Sequence, residues 1–120
     1  MIDALIVENE PELAALFTRA LESAGFKTKI IRDGQRAIDH LSQHSPKLVL
    51  LDLMLPGVGG PEILRYIRQT KHGTQTKVIV ASANALLAEP LRGEADLVLN
   101  KPVSYGQLRD LAGRLYMALG

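Results

Sequence analysis

Short apolar runs alternate with longer amphipathic ones along the whole chain. Ile2 to Val7 reads as a strand. Pro11 to Ala24 places Leu13, Leu16, Phe17, Ala20 and Leu21 at the three-and-four spacing of a helix face. Pro11 suits the first turn of that helix and Gly25 its end. Lys27 to Ile31 predicts a second strand. Asp33-Gly34 reads as a turn, and Gln35 to His44 as a helix with Ala37, Ile38 and Leu41 inward, closed by Pro46. Leu48 to Asp52 is the third strand and Pro61 to Lys71 the third helix, with Ile63, Leu64 and Ile67 on its inner face. Lys77 to Ala81 is the fourth strand. Asn84 to Arg92 predicts a helix limited by Pro90, Asp96 to Leu99 a short fifth strand, and Ser104 to Leu119 a last helix. That last helix carries an apolar stripe of Leu108, Leu111, Leu115 and Leu119.

Strict alternation of strand and helix implies an α/β fold with a parallel sheet covered on both faces. Crossovers should be right-handed. The first and third strands are expected to be neighbours where the winding reverses, with the ligand cleft at their carboxyl ends. Glu8-Asn9-Glu10, Asp52, Ser82-Ala83 and Lys101-Pro102 all fall at that end.

Composition narrows the function little. The 120 residues suffice for one domain with a full core, and no repeat or linker divides them. Fourteen basic residues balance thirteen acidic ones, which argues against direct nucleic-acid binding. Without cysteine there is no disulfide and no thiolate metal site. The amino terminus reads as a strand and not as a leader. No apolar run approaches the roughly 20 residues of a membrane span, so a cytoplasmic chain is expected.

Asp52 carries the most information. An apolar run, Leu48-Val49-Leu50-Leu51, delivers one carboxylate to the sheet rim, and Pro56-Gly57 then turns the chain. Four segments around it resemble the receiver domain of two-component response regulators. They are Ala4 to Glu10, Leu50 to Gly57, Val80-Ala81-Ser82-Ala83 and Asn100-Lys101-Pro102. The resemblance implies a doubly wound, flavodoxin-like (βα)5 fold of strand order 2-1-3-4-5, filling residues 1–120 as a single receiver domain. It implies Asp52 as phosphoacceptor, with a histidine kinase or histidine phosphotransfer protein as donor and a downstream protein as recipient of the signal. Such a domain acts only on its own aspartate and is not otherwise an enzyme. Lys101 would pair with a phosphoryl oxygen and Ser82 would donate to another. Ala83 leaves room for the group, and Pro102 follows the lysine through a peptide bond that is typically cis in the family. Mg²⁺ would be held by Asp52, the acidic pair at Glu8 and Asn9, and the backbone carbonyl of Met54.

Three departures stand out. Asn9 occupies the place of a metal-binding carboxylate, so Mg²⁺ affinity is expected to be weaker than usual unless Glu8 or Glu10 supplies the charge. Val98 stands at the switch position, where the family usually has an aromatic. The segment from Asn84 to Leu97 is short. Asn9 and Val98 keep open a degenerate receiver that works as a phosphorylation-independent interaction module.

Other residues have plainer roles. Asn9 could cap the first helix. His40, His44 and His72 read as surface residues without paired ligand spacing, and Arg65, Arg68, Arg109 and Arg114 as solvated helix faces. A homodimer through the last helix is possible, and no residue compels it. A nucleotide- or flavin-binding protein is disfavoured, because Glu8-Asn9-Glu10-Pro11 offers negative charge and a missing N–H where a phosphate cradle needs donors.

Overall fold

The computed structural model describes residues 2–70 and 75–120. Five parallel strands form one sheet in the order β2-β1-β3-β4-β5. They are β1 (Asp3–Val7), β2 (Lys27–Ile31), β3 (Leu48–Asp52), β4 (Lys77–Ser82) and β5 (Leu97–Asn100). The helices are α1 (Pro11–Ala24), α2 (Gly34–Leu41), α3 (Gly60–Gln69), α4 (Ala85–Ala88) and α5 (Tyr105–Leu119), and one 3-10 turn over Glu89–Leu91 extends α4. The expected strand order and winding are therefore present.

Side chains alternate across a strand, so the sheet builds two cores. Leu5, Val7, Val49, Leu51, Val78 and Val80 pack with α2, α3 and α4. Ala4, Ile6, Leu48, Leu50, Ile79 and Ala81 pack with α1 and α5. All five residues of β3 are buried. Burying a leucine of this kind contributes about 2 kcal/mol, and Leu48, Leu50 and Leu51 anchor the strand that ends in Asp52.

Helix ends follow local chemistry. Pro11 opens α1, and Gly25 closes it at φ 113, a left-handed conformation that favours glycine. The N–H of Gly25 donates to Glu22 O and that of Phe26 to Leu21 O. Asp33, read as part of a turn, caps α2 by accepting from Arg36 N–H at 2.9 Å. Ser104 caps α5 in the same way from Gln107 N–H at 3.0 Å.

Some boundaries differ from expectation. Helix α2 ends at Leu41, three residues early. Ser42 turns its hydroxyl back onto Asp39 O, and the chain leaves in a turn that places His44 outside the helix. The expected helix over 84–92 holds only from Ala85 to Ala88. Asn84 caps it through Leu86 N–H, and Pro90 lies in the tighter turn that follows. Strand β5 starts at Leu97 because Asp96 is committed elsewhere: its Oδ2 accepts from Val78 N–H and from Arg68. Lys71, the expected end of α3, and His72 lie outside the described residues.

Arg68 is not a solvated face. Its guanidinium donates to Glu94 O at 2.8 Å, Thr76 O at 2.7 Å and Asp96 Oδ2 at 2.8 Å. One side chain thereby ties α3 to the starts of β4 and β5, at the sheet end opposite the cleft. His40 and His44 are likewise not independent surface residues. They lie four apart, and their rings stack with centroids 4.2 Å apart. Burial, His44 and Lys29 together lower the His40 pKa.

Candidate phosphorylation cleft

Register places the two central acids. Val7 pairs with Leu51, so one residue further along parallel strands Glu8 stands beside Asp52. Both have the parity of Ile6 and Leu50 and share the α1/α5 side of the sheet. Strand β4 ends beside Asp52 with Ala81 as its partner. Lys101 arrives from the far side: its N–H donates to Ser82 O at 2.8 Å, and a cis bond to Pro102 follows.

The side chains converge on an open cleft of about 310 Å³, lined by Glu8, Asn9, Glu10, Asp52, Met54 and Lys101, with Leu13 and Ala83 at its wall. Lys101 Nζ lies 3.0 Å from Glu8 Oε1 and 3.3 Å from Asp52 Oδ1. Side-chain exposure is 2% for Glu8, 6% for Asp52 and 15% for Lys101, so little water screens the triad. Glu8 Oε2 accepts from Glu10 N–H at 3.1 Å, and Asp52 Oδ1 accepts from Met54 N–H at 3.2 Å. Asp52 Oδ2 accepts no hydrogen bond among the described residues. It is not sealed in, because those residues hold no buried side-chain oxygen without a partner. One oxygen of Asp52 is thus held and the other faces the cleft.

Burial raises the Glu8 pKa above 4.5, and the Asp52 charge pushes in the same direction, against the Glu10 N–H and Lys101. Burial alone would lower Lys101; its contacts with Glu8 and Asp52 outweigh that, and its pKa stands above 10.5. The lysine therefore stays charged across the neutral range, and Glu8 holds its proton more tightly than an ordinary glutamate does.

Three other expected site residues stand apart. Ser82 is buried with the opposite parity to Ala81, and it does not line the cleft. Its hydroxyl donates to Asn84 O at 3.0 Å and accepts from Asn84 N–H at 2.9 Å. Val98 is half-buried and packs on the α2–α4 core. Pro102 is exposed beside the cleft lysine. Asn9 does not cap α1: Glu10 holds that position and makes no side-chain cap. Asn9 instead faces the cleft, and its carbonyl accepts from Arg32 Nη2 at 3.0 Å.

Sequence reasoning missed Gly60. A Cβ there would lie 2.5 Å from Leu53 Cα and 2.7 Å from Asp52 O. The signal was the Gly59-Gly60-Pro61 run before an amphipathic helix, a place where backbone approaches backbone.

The cleft fits a hard divalent cation by its donor set. Glu8, Glu10 and Asp52 bring three carboxylates against the one ammonium of Lys101, and Asn9 and Met54 also line it. Among the described residues no group of three acidic or imidazole side chains could hold a metal ion.

A buried aspartate, a lysine and an acidic loop thus meet at the carboxyl rim of a doubly wound sheet, the place where an open α/β fold binds its ligand. The model of the response regulator receiver domain matches residues 4–112. The chain is 36% identical over 115 residues to the transcriptional regulatory protein TrcR of Mycobacterium tuberculosis, covering 95% of this chain and 44% of TrcR. It is 30% identical to the polar-differentiation response regulator DivK of Brucella ovis, covering 83% of this chain and 84% of DivK. The receiver domain of a sensor histidine kinase of Pseudomonas aeruginosa superposes with a TM-score of 0.84 at 25% identity, over 97% of this chain and 98% of that one. That structure holds a magnesium ion coordinated in its active site cleft. The chain belongs to the response regulator receiver domain family and is a receiver domain of two-component signalling. It spans less than half the length of TrcR. Among the described residues no helix is long and apolar enough to cross a membrane.

Proposed function

We propose that this receiver accepts a phosphoryl group on Asp52 from the phosphohistidine of a histidine kinase or phosphotransfer protein. The observation that carries this reading is the asymmetry of Asp52: Oδ1 is held by Lys101 and the Met54 N–H, and Oδ2 is free toward the cleft. Oδ2 attacks phosphorus in line. The new P–O bond forms as the P–N bond to the donor imidazole breaks, and that nitrogen keeps the bonding pair. The Lys101 ammonium lies close enough to neutralise developing charge. Ala83 presents only a methyl to the space the group would enter. Ser82 can donate to a phosphoryl oxygen only after leaving Asn84. Mg²⁺ held by Asp52, Asn9 and the Met54 carbonyl, with Glu8 alongside, would draw the phosphoryl oxygens together and offset their charge.

Intact-mass measurement with acetyl phosphate and Mg²⁺ tests the reading. One added phosphoryl group is expected on the wild type and none on Asp52→Ala. No adduct on the wild type at saturating Mg²⁺ would overturn it and favour the interaction-module reading, which Asn9 and the non-aromatic Val98 support.

The weaker metal site has its own test. A unit charge about 4 Å from a divalent ion gains several kcal/mol near a surface, and solvent screening at an exposed position leaves part of that. Asn9→Asp is therefore expected to tighten Mg²⁺ binding roughly tenfold, about 1.4 kcal/mol. Magnesium titration followed by calorimetry or by the amide shifts of residues 8–10 reads this without any phosphodonor. An unchanged affinity would mean that Glu8 or Glu10 already supplies the charge.

A further inference from the structure

The open edge of the sheet carries a pattern that the cleft does not use. Strand β2 pairs on one side only, with β1. Lys27 N–H donates to Ile2 O, and Ile31 O accepts from Glu8 N–H, so Lys27, Lys29 and Ile31 turn their backbone groups inward. In a parallel ladder the intervening residues turn theirs outward. Thr28 and Ile30 therefore present N–H and C=O to the free edge.

The side chains along this edge are positively charged. Lys27 and Lys29 share the α2 side of the strand with Ile31. Beside them runs a groove made of two adjoining cavities of about 330 and 450 Å³, which have Lys29 and His40 in common. Arg32 and Arg36 line its upper part. Two carboxylates face these four cations, Asp3 and Asp39, and Gln35 already donates to Asp39 at 3.0 Å. Among the described residues the side chains of Lys27, Lys29 and Arg36 have no bonded partner. On the opposite side of the strand, Ile30, the residue after Lys29, is 39% exposed.

Lysines on an edge keep two copies of that edge apart, because like charges would face each other across the new ladder. The same lysines select for a strand of opposite sign. Five residues of β2 span roughly 16 Å, the length of a short extended segment. Alternation then sets the register: acidic residues opposite Lys27 and Lys29, and an apolar residue opposite Ile30. We propose that the free edge of β2 takes an extended acidic segment of a partner protein as a sixth strand, with carboxylates on Lys27 and Lys29 and an apolar side chain on Ile30.

The probe is a fluorescein-labelled peptide of alternating Glu and Val, followed by anisotropy and by the amide spectrum of the full chain. Binding is expected to move the Thr28 and Ile30 amides and slow their hydrogen exchange. Lys27→Glu with Lys29→Glu is expected to weaken binding about tenfold or more and to admit a Lys/Val peptide. Both positions are exposed and far from the cleft, so the circular dichroism and the phosphoryl uptake of the variant should match the wild type. A Glu/Val peptide N-methylated at alternate amides is expected not to bind. Equal binding of that peptide would reduce the contact to charge attraction and overturn strand addition. Equal binding by the double variant, or no binding at millimolar peptide, would overturn the proposal whole.

Discussion

Lys101→Met is expected to cost about 3 kcal/mol of folding stability at about pH 8 and far less at about pH 5. The lysine sits between two carboxylates that are nearly shut off from water, at 3.0 Å from Glu8 and 3.3 Å from Asp52. Methionine keeps the aliphatic volume and removes the charge, so the change leaves two buried acids facing each other. Breaking a buried pair in this way typically costs about 3–5 kcal/mol. The pH dependence follows from the proton each group holds. Lys101 has a raised pKa, so its stabilisation is present below 10.5 and fades as pH rises through the folded value. Glu8 also has a raised pKa, so the folded state holds its proton more tightly than the unfolded state does, and stability declines as pH rises above 4.5. Removing Lys101 takes away a contact that had lowered the Glu8 pKa, and the acid shifts further up. At low pH Glu8 is then neutral and the lysine is not missed. Urea denaturation at the two pH values checks this, and Glu8→Gln in the Lys101→Met background should recover stability at the higher pH. An equal loss at both values would mean that Lys101 acts through packing and not through charge.

The fold was legible because each level of the sequence agreed with the next. Apolar runs of strand length alternated with helix-period segments, and glycine or proline stood at the joints. That agreement decides topology whether or not the ends are placed well. The ends that shifted did so for reasons invisible to periodicity. Asp96 leaves β5 because Arg68, 28 residues earlier, claims its carboxylate. Helix α2 stops early because Ser42 satisfies a carbonyl locally. The cleft was legible where strand register alone sets position, as for Glu8 beside Asp52. It was less legible where a hydroxyl chooses between partners. Parity puts Ser82 on the face away from Ala81, and Asn84 supplies both a donor and an acceptor within reach. His40 and His44 read as separate surface residues, yet their spacing of four brings the rings over one another and they stack.

Gly60→Ala should lose about 3 kcal/mol of stability and slow phosphoryl uptake at Asp52. The cause is backbone against backbone. The new methyl would sit 2.5 Å from Leu53 Cα, 2.7 Å from Asp52 O and 2.9 Å from Leu53 Cδ2. A leucine side chain can rotate away, but Leu53 Cα and the Asp52 carbonyl cannot. Both belong to the chain leaving β3, a strand buried along its whole length. Gly60 N–H also donates to Leu53 O at 3.2 Å, so the start of α3 is fastened to the segment it would have to leave. Overpacking of this kind costs about 1–3 kcal/mol when neighbours can shift, and more when they cannot. The φ of Gly60 is not positive, so the penalty is one of space and not of backbone conformation. Movement of α3 would be felt at the cleft, because the Met54 N–H that steadies Asp52 Oδ1 follows Leu53 directly. A comparison variant separates this from ordinary helix effects. Gly113→Ala, in α5, meets nothing within 4 Å and should gain up to about 1 kcal/mol from helix propensity alone. Urea midpoints give the stabilities, and acetyl phosphate labelling followed by mass gives the rate. If Gly60→Ala kept the wild-type midpoint and labelling rate, α3 would have to be free to slide on β3. The close approach to Asp52 would then not be what aims its carboxylate.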